Sequence, residues 1–431
     1  MKTVLSPHPE IDTPDSVVHL AKTWMSWAVF FFLIASLFGL LLRSFQIGLV
    51  PDFFDFIHIL HAHSHIALLG WGYLLVSGMM VFLYVKDSRR LKTYRILLTV
   101  TVIANLGMML SFPFQGYGLY SIIFSTLHLL ISYAFAYHFL RDLKKTTQNT
   151  DTRLLRWAVI WMVVSSLGLW AIAPIGAILG KTHHLYHLSV QWFLHFQLNG
   201  WFVYGLLGMI IFFLKKSKIG LLFSSTKQTL LNLSLLLTFS STIYSSIAWE
   251  TFYYLNVLGV ILQGFVYYWL LFPAFKLFLT KFNYTKNWTD WVIFLGIISL
   301  GIKALIQMLL IIPNVLEVSH HIRSFVVGFI HLVLLGAITF GIGGLAVQKK
   351  LMPANPTSQR GWWILALGFT SSELILFIQG TMIWGQFGSI PYYFSLIFLS
   401  STLFPIGLGM IFVSFWLKKG YQTLENTPFL K

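Results

Sequence analysis

Apolar runs long enough to cross a bilayer, each bounded by charge, Pro or Gly, recur twelve times along the 431 residues. An α-helix needs about 20 apolar residues to span the hydrocarbon core. The runs predict helices over Trp24–Leu42, Leu60–Val85, Tyr94–Phe112, Leu119–Leu140, Trp157–Leu179 and Leu188–Leu214 in the first half. In the second half they predict Leu230–Trp249, Tyr253–Phe275, Trp288–Ile312, Ile322–Leu345, Gly361–Trp384 and Tyr393–Trp416. The fold class that follows is all-α integral membrane, a bundle of about 12 transmembrane helices over residues 24–417 with short tails at 1–23 and 418–431. An even number of spans puts both termini on one side.

Charge decides which side. Of the 29 Lys and Arg, 25 lie in the N-terminal tail, the even-numbered loops and the C-terminal tail, while the odd-numbered loops hold only Arg43, Lys181 and Arg323, and Lys303 lies inside a span. The positive-inside rule then makes both termini cytoplasmic. The first 20 residues are polar and no small-residue cleavage site follows the first span, so no signal peptide is expected. The expected setting is a bacterial inner membrane.

Composition agrees and narrows the chemistry. Apolar residues make up 57% of the chain and charged residues 10%, against roughly 25% charged in soluble domains, which excludes a water-soluble globule. The net charge of +16 is a by-product of topology and calls for no nucleic acid. Cys is absent, which removes thiolate metal sites, iron–sulfur clusters, disulfides and any attached Cys-x-x-Cys-His haem. Metal or cofactor binding therefore falls to imidazole, carboxylate, Met or Tyr. The loops are mostly too short for a separate domain, so function is expected inside the bundle or at its outer rim.

Fifteen His in so apolar a chain are the second clue. His58, His61, His63 and His65 open the second span; His183, His184 and His187 precede the sixth, with His195 two turns inside; His320 and His321 precede the tenth, with His331 about three turns inside. All three helices run inward from the outer face. His61, His195 and His331 are therefore expected at corresponding depths, where polar groups face the bundle interior and pair or coordinate. At about 100° per residue, His58, His61 and His65 share a sector of about 60° and His63 points to the other side. Gln191, His195 and Asn199, four apart, form one polar stripe expected to face inward. His8, His19 and His138 are expected to be simple hydrogen-bonding or interfacial residues, and His128 falls near the middle of the fourth span. Deeper still, Lys303 and Glu373 would pair with each other or mark a proton or ion path. Arg323, at the outer rim, suits an anion such as a haem propionate or an acidic lipid headgroup.

Twelve spans with His near the outer ends of the second, sixth and tenth resemble subunit I of the haem–copper oxidase superfamily. Leu60-His61-Ala62-His63-Ser64-His65 followed by Gly70 is similar to the second-helix motif of the C-type oxidases and nitric oxide reductases. Gly328-Phe329-Ile330-His331 is similar to their tenth-helix His-x-His motif, and Gln191-Trp192-Phe193-Leu194-His195 to the sixth-helix copper motif with its spacing off by one. NnrS-type haem and copper membrane proteins share His61-Ala62-His63 and the later His331 followed by Gly336-Ala337, but Ser64 stands where they carry Glu. The resemblance implies a b-type haem held by His61 and His331, with Arg323 on a propionate, and a second site, for copper or another metal, from His63, His65, His195, His184 and His187. Phe329 replaces the high-spin haem ligand and the seventh span has no His, so the oxidase family's binuclear centre is incomplete.

The reading that follows is a haem-binding electron-transfer protein, with oxygen or nitric oxide chemistry if a site is open. Its electron donor would be a cytochrome c-type or quinol partner, with other membrane subunits as further partners. Two alternatives stay open: a His-based metal or small-solute transporter, against which stands the lack of a repeat between residues 1–215 and 216–431, and a cofactor-free accessory or assembly subunit.

Overall fold

A computed structural model describes residues 14–216, 224–282 and 287–417; His8 and the C-terminal tail lie outside the described residues. Twelve helices are long and apolar enough to cross a membrane. They are α1 (Asp15–Phe45), α2 (Phe56–Tyr84), α3 (Ser88–Gln115), α4 (Leu119–Leu143), α5 (Thr150–Ile178), α6 (His184–Leu214), α7 (Ser225–Ile247), α8 (Glu250–Lys276), α9 (Trp288–Leu309), α10 (Arg323–Gln348), α11 (Pro356–Trp384) and α12 (Tyr393–Val413). The chain is an integral, multi-pass membrane protein whose outer surface meets lipid. Large side chains such as Phe114, Ile178, Leu305 and Leu399 are exposed on that surface, as a bilayer rewards and water does not.

Two helices begin before their apolar run, and at α5 a cap accounts for the extension. α5 starts at Thr150 rather than near Trp157, with Asn149 and Thr152 forming a reciprocal capping box. α1 starts at Asp15, and Val17, Leu20 and Ala21 of its first turns are buried. At the end of the bundle rich in Lys and Arg, a polar network ties loop to helix. Arg90 Nε bonds Asp142 Oδ2 at 3.0 Å, Tyr94 donates to the same oxygen at 2.9 Å, and Arg90 also reaches His138 Nδ1 at 2.9 Å. Tyr84 donates to Asp151 at 2.7 Å nearby. The opposite end, which carries His58, His184 and Arg323, is called the histidine end below.

The bundle repeats in thirds. α2 and α6 are the most enclosed helices and α10 follows them. Each central helix contains one π-helical stretch, and each stretch starts directly after a His: Ile66–Gly72 after His65, Phe196–Phe202 after His195, and Leu332–Phe340 after His331. A π turn inserts one residue into the helical ladder and is uncommon outside functional sites. Five residues beyond each His stands a Gly, pressed between the first and third helix of its own group of four. Gly70 lies between Phe31 of α1 and Asn105 of α3; Gly200 between Trp161 of α5 and Leu235 of α7; Gly336 between Ser299 of α9 and Phe369 of α11.

The three central helices also meet one another. Trp71 Nε1 of α2 donates to Thr339 Oγ1 of α10 at 3.0 Å. Gly72 of α2 lies under the ring of Phe202 of α6, and Gly341 of α10 against Leu206 of α6. Lipid tails offer no hydrophobic drive for helix association, so these close approaches and the buried hydrogen bond carry the packing.

A methyl group added at Gly200 would sit 2.5 Å from Trp161 Cβ, whereas one added at Gly409 of α12 meets nothing within 4 Å. Gly200→Ala is expected to destabilise the bundle by about 1–3 kcal/mol through overpacking, and Gly409→Ala to be neutral or slightly stabilising. Thermal unfolding of the two variants in one detergent checks the difference; equal midpoints would contradict the threefold packing scheme.

Candidate functional site

The histidine end of α2 is fixed by its cap. Asp55 accepts the backbone N–H of His58 at 2.9 Å, and that bond holds its carboxyl below the usual carboxylate range. From this start the side chains alternate around the helix as their spacing requires. His58 lies against Gly116, whose φ of 53° leaves both the turn and the space to a residue without Cβ. His61 packs 4.4 Å from the ring of Tyr117, and His65 stacks on Phe112 at 4.3 Å. His65 Nδ1 bonds the carbonyl of His61 at 2.9 Å, with its Nε2 3.4 Å from the Tyr117 hydroxyl. His61 and His65 thus both face α3 and the α3–α4 turn.

His63 faces the other way, toward α1. Its Nδ1 donates to the carbonyl of Ala35 at 2.8 Å, and its ring fills the space above Gly39, where a Cβ would lie 2.9 Å from Cε1. The carbonyl fixes the tautomer and leaves Nε2 as the bare nitrogen. His63 and Arg43 of α1 both lie within electrostatic reach of His331 on α10. His331 Nδ1 is 3.9 Å from Glu373 Oε1 of α11, too far for a hydrogen bond, and both atoms are buried without a partner. Sequence spacing separated His63 from His61 and His65 correctly; it carried no sign of which face meets α10, and neither Gly39 nor Arg43 stood out.

The remaining expected site residues are dispersed. His195 Nε2 donates to the Leu235 carbonyl at 2.9 Å between the rings of Phe196 and Phe239. Its stripe is shorter than expected, because Gln191 is exposed and only Asn199 beyond it is buried. His184 and His187 are exposed at the rim, where His183 and His184 rings lie 4.2 Å apart. Among the described residues no three His, Asp or Glu side chains gather to hold a metal ion, so His63, His65, His195, His184 and His187 do not converge here. Lys303 and Glu373 are not each other's partners: Lys303 Nζ donates to Tyr267 Oη at 3.2 Å, and Glu373 stands beside His331. His128 satisfies itself on the Leu69 carbonyl at 3.2 Å. Arg323 is exposed over the ring of Phe56 at 5.9 Å, and Arg43 is half-buried within its field. The two cations share the histidine end of α1 and α10.

A carboxyl whose folded value is depressed contributes stability above the ordinary Asp range and loses it as pH falls through the folded value. Amide protection factors at His58 and Ile59 are therefore expected to hold from neutral pH down to the ordinary Asp range and to fall below it. In Asp55→Asn, which caps without titrating, they should stay flat. Hydrogen exchange across an acid series checks this; a decline of equal size in both proteins would remove Asp55 as its cause.

No family model matches this chain, and a search of curated proteins finds no match either.

Proposed function

We propose that this chain is a membrane electron-transfer protein that holds one b-type haem near the histidine end of the bundle, between α2 and α10. The observation that carries the reading is the pair His63 and His331. Each is a half-buried imidazole on a different central helix, His63 lies within electrostatic reach of His331, and each has an Nε2 that makes no hydrogen bond to the described residues. An axial ligand to haem iron uses one ring nitrogen while a carbonyl or carboxylate orients the other. The Ala35 carbonyl does this for His63, and the Glu373 carboxylate stands closest to Nδ1 of His331. This residue set fits the group, with His63 in the place the family resemblance gave to His61, whose ring is turned toward Tyr117.

The chain's own residues account for binding and orientation. Gly39 makes room for the His63 ring, and the Ala35 carbonyl holds it in one tautomer. Arg43 and Arg323, cations at the same end without a carboxylate ion pair among the described residues, suit the two propionates. The haem, which His63 and His331 would hold, would supply one-electron transfer; reaction with oxygen or nitric oxide is not part of this reading. A Cys-free chain carries no cytochrome c motif, so electrons would come from a cytochrome c-type or quinol donor in the membrane, for which a bacterial inner membrane is the natural setting.

Optical spectra of the detergent-purified protein, oxidised and dithionite-reduced, test this. The wild type is expected to show a Soret band and sharp reduced α and β bands of a low-spin haem. His63→Ala and His331→Ala should each lose the low-spin signature, while His61→Ala should keep it. Loss in His61→Ala with retention in His63→Ala would return the ligand role to His61. A wild type that stays colourless after haem reconstitution ends the reading and favours the transporter or accessory-subunit alternatives.

A further inference from the structure

The haem reading leaves one buried cation unused. Lys303 of α9 has no solvent exposure and, among the described residues, no carboxylate within ion-pair distance; its ammonium nitrogen donates to the Tyr267 hydroxyl at 3.2 Å and lies 5.1 Å from that ring's centre. A lysine near the middle of a membrane helix is costly even where local water is allowed for. One phenol is a weak return for that cost. The surroundings show what else is there.

On α9, Ser299, Lys303 and Gln307 succeed one another at four-residue steps and share one face. On α8, Asn256, Gln263 and Tyr267 share one face at seven- and four-residue steps. All six side chains are buried. The two antiparallel faces are in register. At the histidine end Tyr253 donates to the Ile311 carbonyl at 2.7 Å and Asn256 Nδ2 to the Leu310 carbonyl at 3.3 Å; further in, Lys303 meets Tyr267. The α8–α9 seam is therefore a polar column that runs from the membrane surface to Lys303, a climb of about 12 Å over eight residues. Two oxygens along it, Asn256 Oδ1 and Gln307 Oε1, are buried acceptors with no protein donor. A bare buried acceptor loses its solvation without return, and water is the donor that removes this cost where a site is polar and reachable.

We propose that the α8–α9 seam is a hydrated half-channel, open at the histidine end, that delivers protons to Lys303. Water donates to Asn256 Oδ1 and Gln307 Oε1 and links the surface to the amine. A hydronium in that chain gives its proton to the lone pair of neutral Nζ and becomes water; the ammonium returns the proton by the reverse step. The ionisable groups facing Lys303 are Tyr267 from α8 and, within electrostatic reach, His195 from α6; its neighbours Ser299 and Gln307 on α9 are neutral. The column requires no haem, so it stands or falls separately from the reading above.

The natural absence of Cys makes the full chain its own background for the test. Gln307→Cys sits in the column, and Leu305→Cys, two residues away, faces lipid at a position 63% exposed. Both are treated in proteoliposomes with a membrane-impermeant, water-soluble thiol reagent over a pH series. The reagent is expected to modify Gln307→Cys at least tenfold faster than Leu305→Cys. Because a cation one turn away lowers a thiol's pKa, adding Lys303→Met should move the pH–rate midpoint of Gln307→Cys up by about one unit. Lys303→Gln, which keeps a polar end, makes the same comparison if Lys303→Met does not fold, and the rate ratio alone decides if neither does. Equal rates at the two positions, or a midpoint that does not move when Lys303 is replaced, overturns the proposal.

Discussion

Three backbone approaches hold this bundle in its arrangement. Gly70, Gly200 and Gly336 each let a central helix lie directly against the helices on either side, where any Cβ would meet Phe31, Trp161 or Ser299. In a bilayer this closeness replaces the hydrophobic effect as the source of cohesion. It also fixes depth: the His five residues earlier in each helix is set at one level, with its ring directed by the π turn that separates His from Gly. The enclosed imidazoles, the hydrogen bond from Trp71 to Thr339 and the meeting of α2 with α10 are all downstream of those contacts.

The repeat in thirds explains why one fold can hold unlike sites. Each group of four helices supplies the same frame, and the frames are then filled differently. In the first, His65 rests on Phe112 beside His61; in the second, His195 is tied to a carbonyl of α7; in the third, His331 stands free beside a carboxylate. Only in the third does the histidine come within electrostatic reach of His63 on α2. The seam between α8 and α9 lies where the second group meets the third, and is polar without being part of either histidine position.

Much of this was legible in the sequence, and the gaps have physical causes. The twelve spans follow from apolar length alone, because the thickness of a bilayer is a ruler that each helix must match. The helices start before their apolar runs at α1 and α5, and at α5 the Asn149–Thr152 capping box accounts for the extension. The opposition of His63 to His61 and His65 is a property of one helix and was readable; the identity of the neighbour on each side is tertiary and was not. The His-x4-Gly spacing was present three times and passed unnoticed because self-similarity was sought between halves. Lys303 and Glu373 stand out in the sequence as ionisable groups inside spans, yet their depths give no hint that Lys303 meets Tyr267 of α8 and that Glu373 lies beside His331 of α10.

The π turns have a consequence for how such a helix can be altered. An added residue turns everything beyond it by about 100° relative to the preceding segment, so each central helix behaves as a shaft in two sections with a fixed offset. The section at the histidine end can present its side chains to one neighbour while the section beyond Gly70, Gly200 or Gly336 keeps its own contacts in the core. Removing a single residue from Ile66–Gly72, Phe196–Phe202 or Leu332–Phe340 would re-aim the outer section as a unit and leave the inner one seated.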